Sequence, residues 1–168
     1  MKRLLLVRHA KSDWSDGGLR DFDRPLNRRG EHDAPRMARY ASAQGERPTY
    51  LLTSPAARTY ATARLFAAEF GIAENDIGRQ ESLYEGTAAD IFAAVRGLPD
   101  LHESVALFAH NPGLTTAVSR ISEDYVDNVP TCGVGVVSWS GASWTEFEPE
   151  RAALDALWIP KAVLSAYA

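Results

Sequence analysis

Leu4-Leu5-Leu6-Val7 runs without a break into Arg8-His9-Ala10. A short, continuous apolar run has no polar face to offer water, so it reads as a strand covered on both sides. Val105 to Ala109 repeats the pattern and ends at His110-Asn111, and Tyr50-Leu51-Leu52-Thr53 is a shorter version that ends at Ser54-Pro55. Helical segments separate these strands. Asn27 is an N-cap for a helix from Arg28 to Ala43, stopped by Gly45 and Pro48. Ser54 as N-cap and Pro55 at the first helical position open a second helix, which runs to Phe70 and ends at Gly71. Ile77 to Ser82 is a weak strand, and Thr87 to Val95 is a helix closed by Gly97 and Pro99. Asn111-Pro112-Gly113 turns into a further helix through Ile121. Strands alternating with helices give βαβ units and a mainly parallel sheet, hence an α/β fold. The last quarter differs: Val134 to Trp139 and Trp144 to Phe147 flank Ser140-Gly-Ala-Ser143 as a hairpin. Beyond Pro149 a short helix and an irregular cover are both open.

The chain has 168 residues, 45% hydrophobic and 24% charged. That is close to one domain's worth of chain, and no linker or repeat divides residues 1–168. Eighteen Lys and Arg against 22 Asp and Glu leave a net charge of −4. Such a balance disfavours a general nucleic-acid binder, since phosphate-backbone binding runs on excess Lys and Arg. Cys132 is the single cysteine, which excludes an intrachain disulfide and a cysteine-based zinc site. The apolar run after Met1-Lys2-Arg3 is four residues long, short of the roughly 7–15 a signal peptide needs. No stretch approaches the ~18 apolar residues of a membrane span, so a cytoplasmic location is the expectation.

In open α/β sheets, ligands bind beyond the carboxyl ends of the strands. The polar residues just past three apolar strands are Arg8-His9, Ser54 leading to Arg58, and His110-Asn111, so they converge at one end of the sheet. Two guanidiniums in one cleft suit a phosphoryl group, because each offers forked N–H donors to its oxygens. A histidine fixed at a strand end can attack phosphorus as a neutral imidazole and form a phosphohistidine. The neighbouring arginines disfavour its protonation. A protonated His110 could stabilise the charge that develops on an equatorial oxygen. Singly, each residue also fits a structural role: a satisfied histidine, a solvated helix arginine, half of a salt bridge. The joint placement at successive strand ends is what favours chemistry.

Leu6-Val7-Arg8-His9-Ala10 resembles the Arg-His signature of the histidine phosphatase superfamily, with Ser12 and Trp14 fitting its sequel. Arg24-Pro25-Leu26-Asn27-Arg28-Arg29-Gly30 is similar to its Leu-Thr-x-x-Gly segment. Thr53-Ser54-Pro55-Ala56-Ala57-Arg58-Thr59 with Thr62-Ala63, and His110-Asn111-Pro112-Gly113, resemble its two remaining motifs. Four motifs in order span residues 3–121. Small size and the Arg-Pro-Leu-Asn-x-x-Gly wording resemble the SixA-type phosphohistidine phosphatases most. The resemblance implies a three-layer αβα, phosphoglycerate-mutase-like fold. It also implies His9 as nucleophile, Arg8, Arg58 and His110 as phosphate pocket, and no metal or organic cofactor.

The sequence departs from the pattern at several points. Ala10 replaces the usual glycine. Ser15 stands where the mutase branch carries a phosphate-binding asparagine, and could donate only a hydroxyl. Asn111 follows His110 where the acid-phosphatase branch has an aspartate proton donor. Glu85, after the weak strand, is where some branches place an acidic donor, and Asp13 is a weaker candidate. The 11–25 loop holds three positive and four negative charges, a near-balanced rim that could also present Trp14, Leu19 and Phe22 to a partner.

Little chain is spare for insertions over the site, which favours an open cleft able to admit a phosphorylated side chain on a protein. The leading expectation is a cofactor-independent phosphatase acting through phospho-His9 on protein phosphohistidine, with a monomer favoured. A small phosphoester is the alternative substrate, and a non-enzymatic phosphate-binding module the alternative class. A metallohydrolase built on His9 and His110 lacks a clustered carboxylate set.

Overall fold

The structure is a computed structural model that describes residues 1–164. One six-stranded sheet runs through it in the order β3-β2-β4-β1-β5-β6. The strands are β1 (Lys2–Arg8), β2 (Tyr50–Thr53), β3 (Gly78–Arg79), β4 (Ser104–Ala109), β5 (Val134–Trp139) and β6 (Ala153–Trp158). The four strands from β3 to β1 are parallel, and β5 is antiparallel to both β1 and β6. Helices α1 (Arg28–Ala43), α2 (Ala57–Phe70), α3 (Ala88–Arg96), α4 (Gly113–Ile121) and α5 (Pro160–Val163) complete the elements.

Two cores lie on opposite faces of the sheet. Leu5 and Val7 of β1 pack with Ala106 and Phe108 of β4 against Met37 of α1 and Phe66 of α2. Leu4 and Leu6 face the other way and pack with Val105 and Leu107 against Ile91 and Phe92 of α3 and Leu114 and Val118 of α4. Adjacent strand residues thus bury on opposite faces, which is why the run at Leu4–Val7 is apolar throughout. Each fully buried Leu contributes about 1.5–3 kcal/mol. The expected three-layer αβα fold with a mainly parallel mixed sheet is the one observed. None of its helices, among the described residues, is long and apolar enough to cross a membrane.

Asn27 caps α1 as read from sequence, its side chain accepting from Gly30 N at 2.8 Å. Gly71 ends α2 in the left-handed region at φ 71°. Four readings need correction. First, α2 begins at Ala57, not at Pro55: Ala56 is non-helical at ψ 142°, and the Ser54 hydroxyl is shared between Ala56 N at 3.3 Å and His110 Nε2 at 2.8 Å. Second, the weak strand shrinks to Gly78–Arg79, after which Glu81–Leu83 form a 3-10 turn. Third, Trp144–Phe147 is not a strand. Trp144 and Phe147 are three residues apart, a turn's spacing, and both sink into the core beneath α3. Fourth, the antiparallel partner of β5 is β6, within the stretch read as tail, and α5 follows it; residues 165–168 lie outside the described ones.

The 11–25 loop is stapled at its base. Asn27 N donates to Lys11 O at 2.9 Å, Asp13 N donates to Pro25 O at 2.8 Å, and Ser12 bridges Leu26. Gly30, in the first turn of α1, lets the Lys11 backbone lie directly against the helix. A Cβ at Gly30 would overlap the Lys11 carbonyl oxygen. We expect Gly30→Ala to cost about 1–3 kcal/mol through this overpacking. Thermal denaturation reads it, and an unchanged melting temperature would contradict this account of the loop's anchor.

Candidate active site

β1 ends at Arg8, and the chain beyond it is held from two sides. His9 N donates to Ala109 O at 3.2 Å on the β4 side, while Cys132 N reaches the carbonyls of Arg8 and His9 at 3.1 and 3.0 Å. Ala10 N donates to Thr62 Oγ1 at 3.0 Å, and the Thr62 hydroxyl donates to Arg58 O at 2.8 Å. The backbone carrying His9 is therefore tied to the first turns of α2, from which Arg58 projects.

His9, Arg58 and His110 are only 7%, 8% and 5% exposed, yet they line one pocket of about 220 Å³ together with Arg8. The His9 Nδ1–H donates to the Ala10 carbonyl at 2.8 Å. That bond leaves Nε2 as the ring's lone pair, and Arg58 Nε–H points at it from 3.4 Å. His110 lies with its ring centre 5.2 Å from that of His9. Its Nε2 contacts the hydroxyls of Ser54 at 2.8 Å and Thr59 at 3.1 Å, while Nδ1 faces Arg58 Nη2 at 3.4 Å. Arg8 Nη1 donates to Val129 O at 3.1 Å. Arg8 Nε is buried and finds no acceptor among the described residues, a donor suited to an anion.

Burial is the largest influence on both imidazoles, and the arginines add to it. His9 is lowered to about 4, chiefly by desolvation, with Arg58 and Arg8 contributing. His110 is lowered to about 3 by desolvation, by His9 and by the arginines. Sequence reasoning had the direction for His9, but assigned it to the arginines alone. For His110 the free site holds a neutral ring, not the charged one that sequence allowed.

The four residues expected to converge, Arg8, His9, Arg58 and His110, do so. Ser15 and Glu85 do not join them. Ser15 is exposed, and its backbone N–H closes a local turn on the Asp13 carboxylate at 2.8 Å. Glu85 is exposed in a left-handed turn at φ 55° and does not line the pocket. Its neighbour Tyr84 approaches the site instead, edge-on to His110 with ring centres 5.6 Å apart. Asp21, from the near-balanced loop, also arrives there: its carboxylate pairs with Arg58 Nη2 at 3.0 Å. Lys11, Ser12, Trp14, Asn111 and Thr131 complete the lining. No three His, Cys, Asp or Glu side chains among the described residues are grouped to hold a metal ion.

Residues 4–91 match the family model of the histidine phosphatase superfamily (branch 1), and the chain belongs to that superfamily as a phosphatase. An uncharacterized chloroplastic protein of Arabidopsis thaliana is 34% identical over 154 residues, covering 86% of this chain and 70% of that protein. An uncharacterized Mycobacterium tuberculosis protein is 30% identical over 169 residues, covering 92% of this chain and all of that one. Among solved structures, a protein assigned as the phosphohistidine phosphatase SixA of Agrobacterium tumefaciens superposes with a TM-score of 0.78. It is 30% identical, and the match covers 95% of this chain and 98% of that one.

The two lowered imidazoles set a sign for acid stability. An unfolded chain titrates its histidines near 6.5, whereas these two stay neutral in the fold until about 4 and about 3. Between those values the unfolded state binds more protons, so the contribution is full above 6.5 and is lost as pH falls. We expect ring-proton NMR to show both rings neutral at about pH 5.5, with the unfolding temperature falling between pH 6.5 and 4. Titration of either ring near 6.5 would contradict the burial argument.

Proposed function

We propose that His9 is the nucleophile of a phosphatase that removes phosphoryl groups from protein phosphohistidine. The observation that carries this reading is the tautomer of His9: Nδ1–H is committed to the Ala10 carbonyl, so the Nε2 lone pair faces the arginine-lined pocket. A neutral ring at physiological pH needs no deprotonation before it attacks.

In the first step Nε2 of His9 forms a bond to phosphorus as the bond to the substrate's ring nitrogen breaks on the opposite side; that ring, protonated on its other nitrogen, keeps the bonding pair and leaves as neutral imidazole. Arg8, Arg58 and an N–H of His110 hold the three equatorial oxygens. The arriving dianion opposes the effect of burial on His110 and favours its protonation. In the second step water attacks phospho-His9 in line, its proton leaves to solvent or a base, and inorganic phosphate departs with His9 restored. Loss of one such preorganised donor typically costs about 10²–10³ in turnover.

Two features support a protein substrate over a small one. The pocket is small, and its rim carries Trp14 with 64% of its surface exposed, so the phosphoryl subsite lies at an accessible edge. The relative at 30% identity bears the name phosphohistidine phosphatase SixA and matches this chain over nearly its full length. Imidazole also leaves readily once protonated, so this chemistry depends less on a strong general acid than alkoxide departure does.

The test is phosphate release in EDTA from a phosphohistidine-bearing protein domain, comparing wild type with His9→Ala. Release by wild type alone is expected. Release by His9→Ala at the wild-type rate would overturn the mechanism. Activity confined to small phosphoesters would overturn the substrate.

A further inference from the structure

Arg58 has two hydrogen-bonding edges, and the structure uses them differently. The Nε–Nη2 edge faces the chemistry: Nε–H is directed at His9 Nε2 and Nη2 at His110 Nδ1, both at 3.4 Å. The Nη1–Nη2 edge faces Asp21: Nη1 donates to its main-chain carbonyl at 2.7 Å and Nη2 to its carboxylate at 3.0 Å. Nη2 carries two hydrogens, one on each edge, so the two sets of contacts do not compete. A guanidinium gripped along one edge has its plane and its other edge fixed.

Asp21 is itself held. The Tyr84 hydroxyl donates to the same carboxylate oxygen at 2.8 Å, and Phe22 packs edge-on to Tyr84 with ring centres 5.0 Å apart. Tyr84 in turn lies against His110. Partial burial raises the Asp21 carboxyl, but the hydrogen bonds from Tyr84 and Arg58 outweigh it and keep the group ionised below the usual range. The bent 11–25 loop, the α2 arginine and the turn before α3 thus meet at one carboxylate.

We propose that Asp21 is a positioning residue that, braced by Tyr84, locks the outer edge of Arg58 so that its Nε–Nη2 edge is presented to the phosphoryl group. This rests on reading His9 and Arg58 as the phosphoryl site. It assigns Asp21 no contact with the reacting atoms; its effect passes through Arg58. Two other roles would have opposite signatures. A plug that blocks the arginine would make its removal activating. An independent proton carrier would act whether or not Arg58 is present.

A double-mutant cycle separates these, with Asp21→Ala made in the wild-type and Arg58→Ala backgrounds. Single-turnover phosphoryl transfer from p-nitrophenyl phosphate to the enzyme reads even slow rates. We expect Asp21→Ala to slow transfer roughly ten- to a hundredfold in the wild type, as a misplaced catalytic group does. In the Arg58→Ala background we expect less than about a twofold further change, because the coupled pair acts as one unit. Tyr84→Phe keeps the Asp21–Arg58 pair and should slow transfer a few-fold in the same direction. It also serves if Asp21→Ala folds poorly, as judged by its melting temperature. Faster transfer by Asp21→Ala, or an equal loss in both backgrounds, overturns the inference. Transfer at the wild-type rate by Asp21→Ala while His9→Ala is inert overturns it alone. Turnover by His9→Ala overturns the nucleophile reading and this inference with it.

Discussion

The site depends on keeping two guanidiniums, the half-buried Arg8 and the buried Arg58, in one pocket. Partial burial makes charge harder to hold on Arg8, and the nearby Arg58, 8% exposed, acts in the same direction. Two like charges taken out of water are costly unless something compensates them. The resting protein compensates in three ways. Asp21 supplies a negative charge to one side of Arg58, the Val129 carbonyl accepts from Arg8, and both nearby imidazoles stay neutral. The phosphoryl dianion of the proposed reaction would complete the balance.

The architecture explains how that arrangement is held. β1 and β4 are buried on both faces and parallel, so Arg8-His9 and His110 emerge side by side from adjacent strands. Arg58 comes from the opening turn of α2, which follows β2 on the other side of β4. Hydrogen bonds from Ala10 and Thr62 fasten the His9 backbone to that turn. The His9 ring is then oriented by a bond to its own neighbour's carbonyl, which leaves little freedom for the wrong tautomer.

Residues tied to a strong backbone signal were legible in the sequence. Arg8, His9 and His110 stand at the ends of uninterrupted apolar runs, and Arg58 follows a Ser-Pro turn, so the sheet rule places them together. Asp21 gave no such signal. It is one of four acids in the 11–25 loop, has no periodic context, and meets Arg58 from 37 positions away. Ser15 and Glu85 were assigned by their place in the family pattern, but local turn chemistry decides both. An Asx-type turn on Asp13 holds Ser15 outward, and a left-handed backbone at Glu85 leaves Tyr84 to approach the site. The hairpin was misplaced for a related reason. Trp144 and Phe147 look strand-like by composition, while β6, the true partner, carries Asp155 and is only partly buried, which blurs its alternation.

The central claim is that the phosphoryl group rests covalently on Nε2 of His9 between departure of the leaving group and attack by water. Rapid quenching of a single turnover into alkali, where phosphohistidine survives, followed by peptide mass spectrometry, tests it most directly. The account predicts a transient phosphoryl adduct on the peptide containing His9, rising and falling within the turnover. Turnover with no enzyme-bound phosphate at any time, or an adduct on another residue, would contradict it.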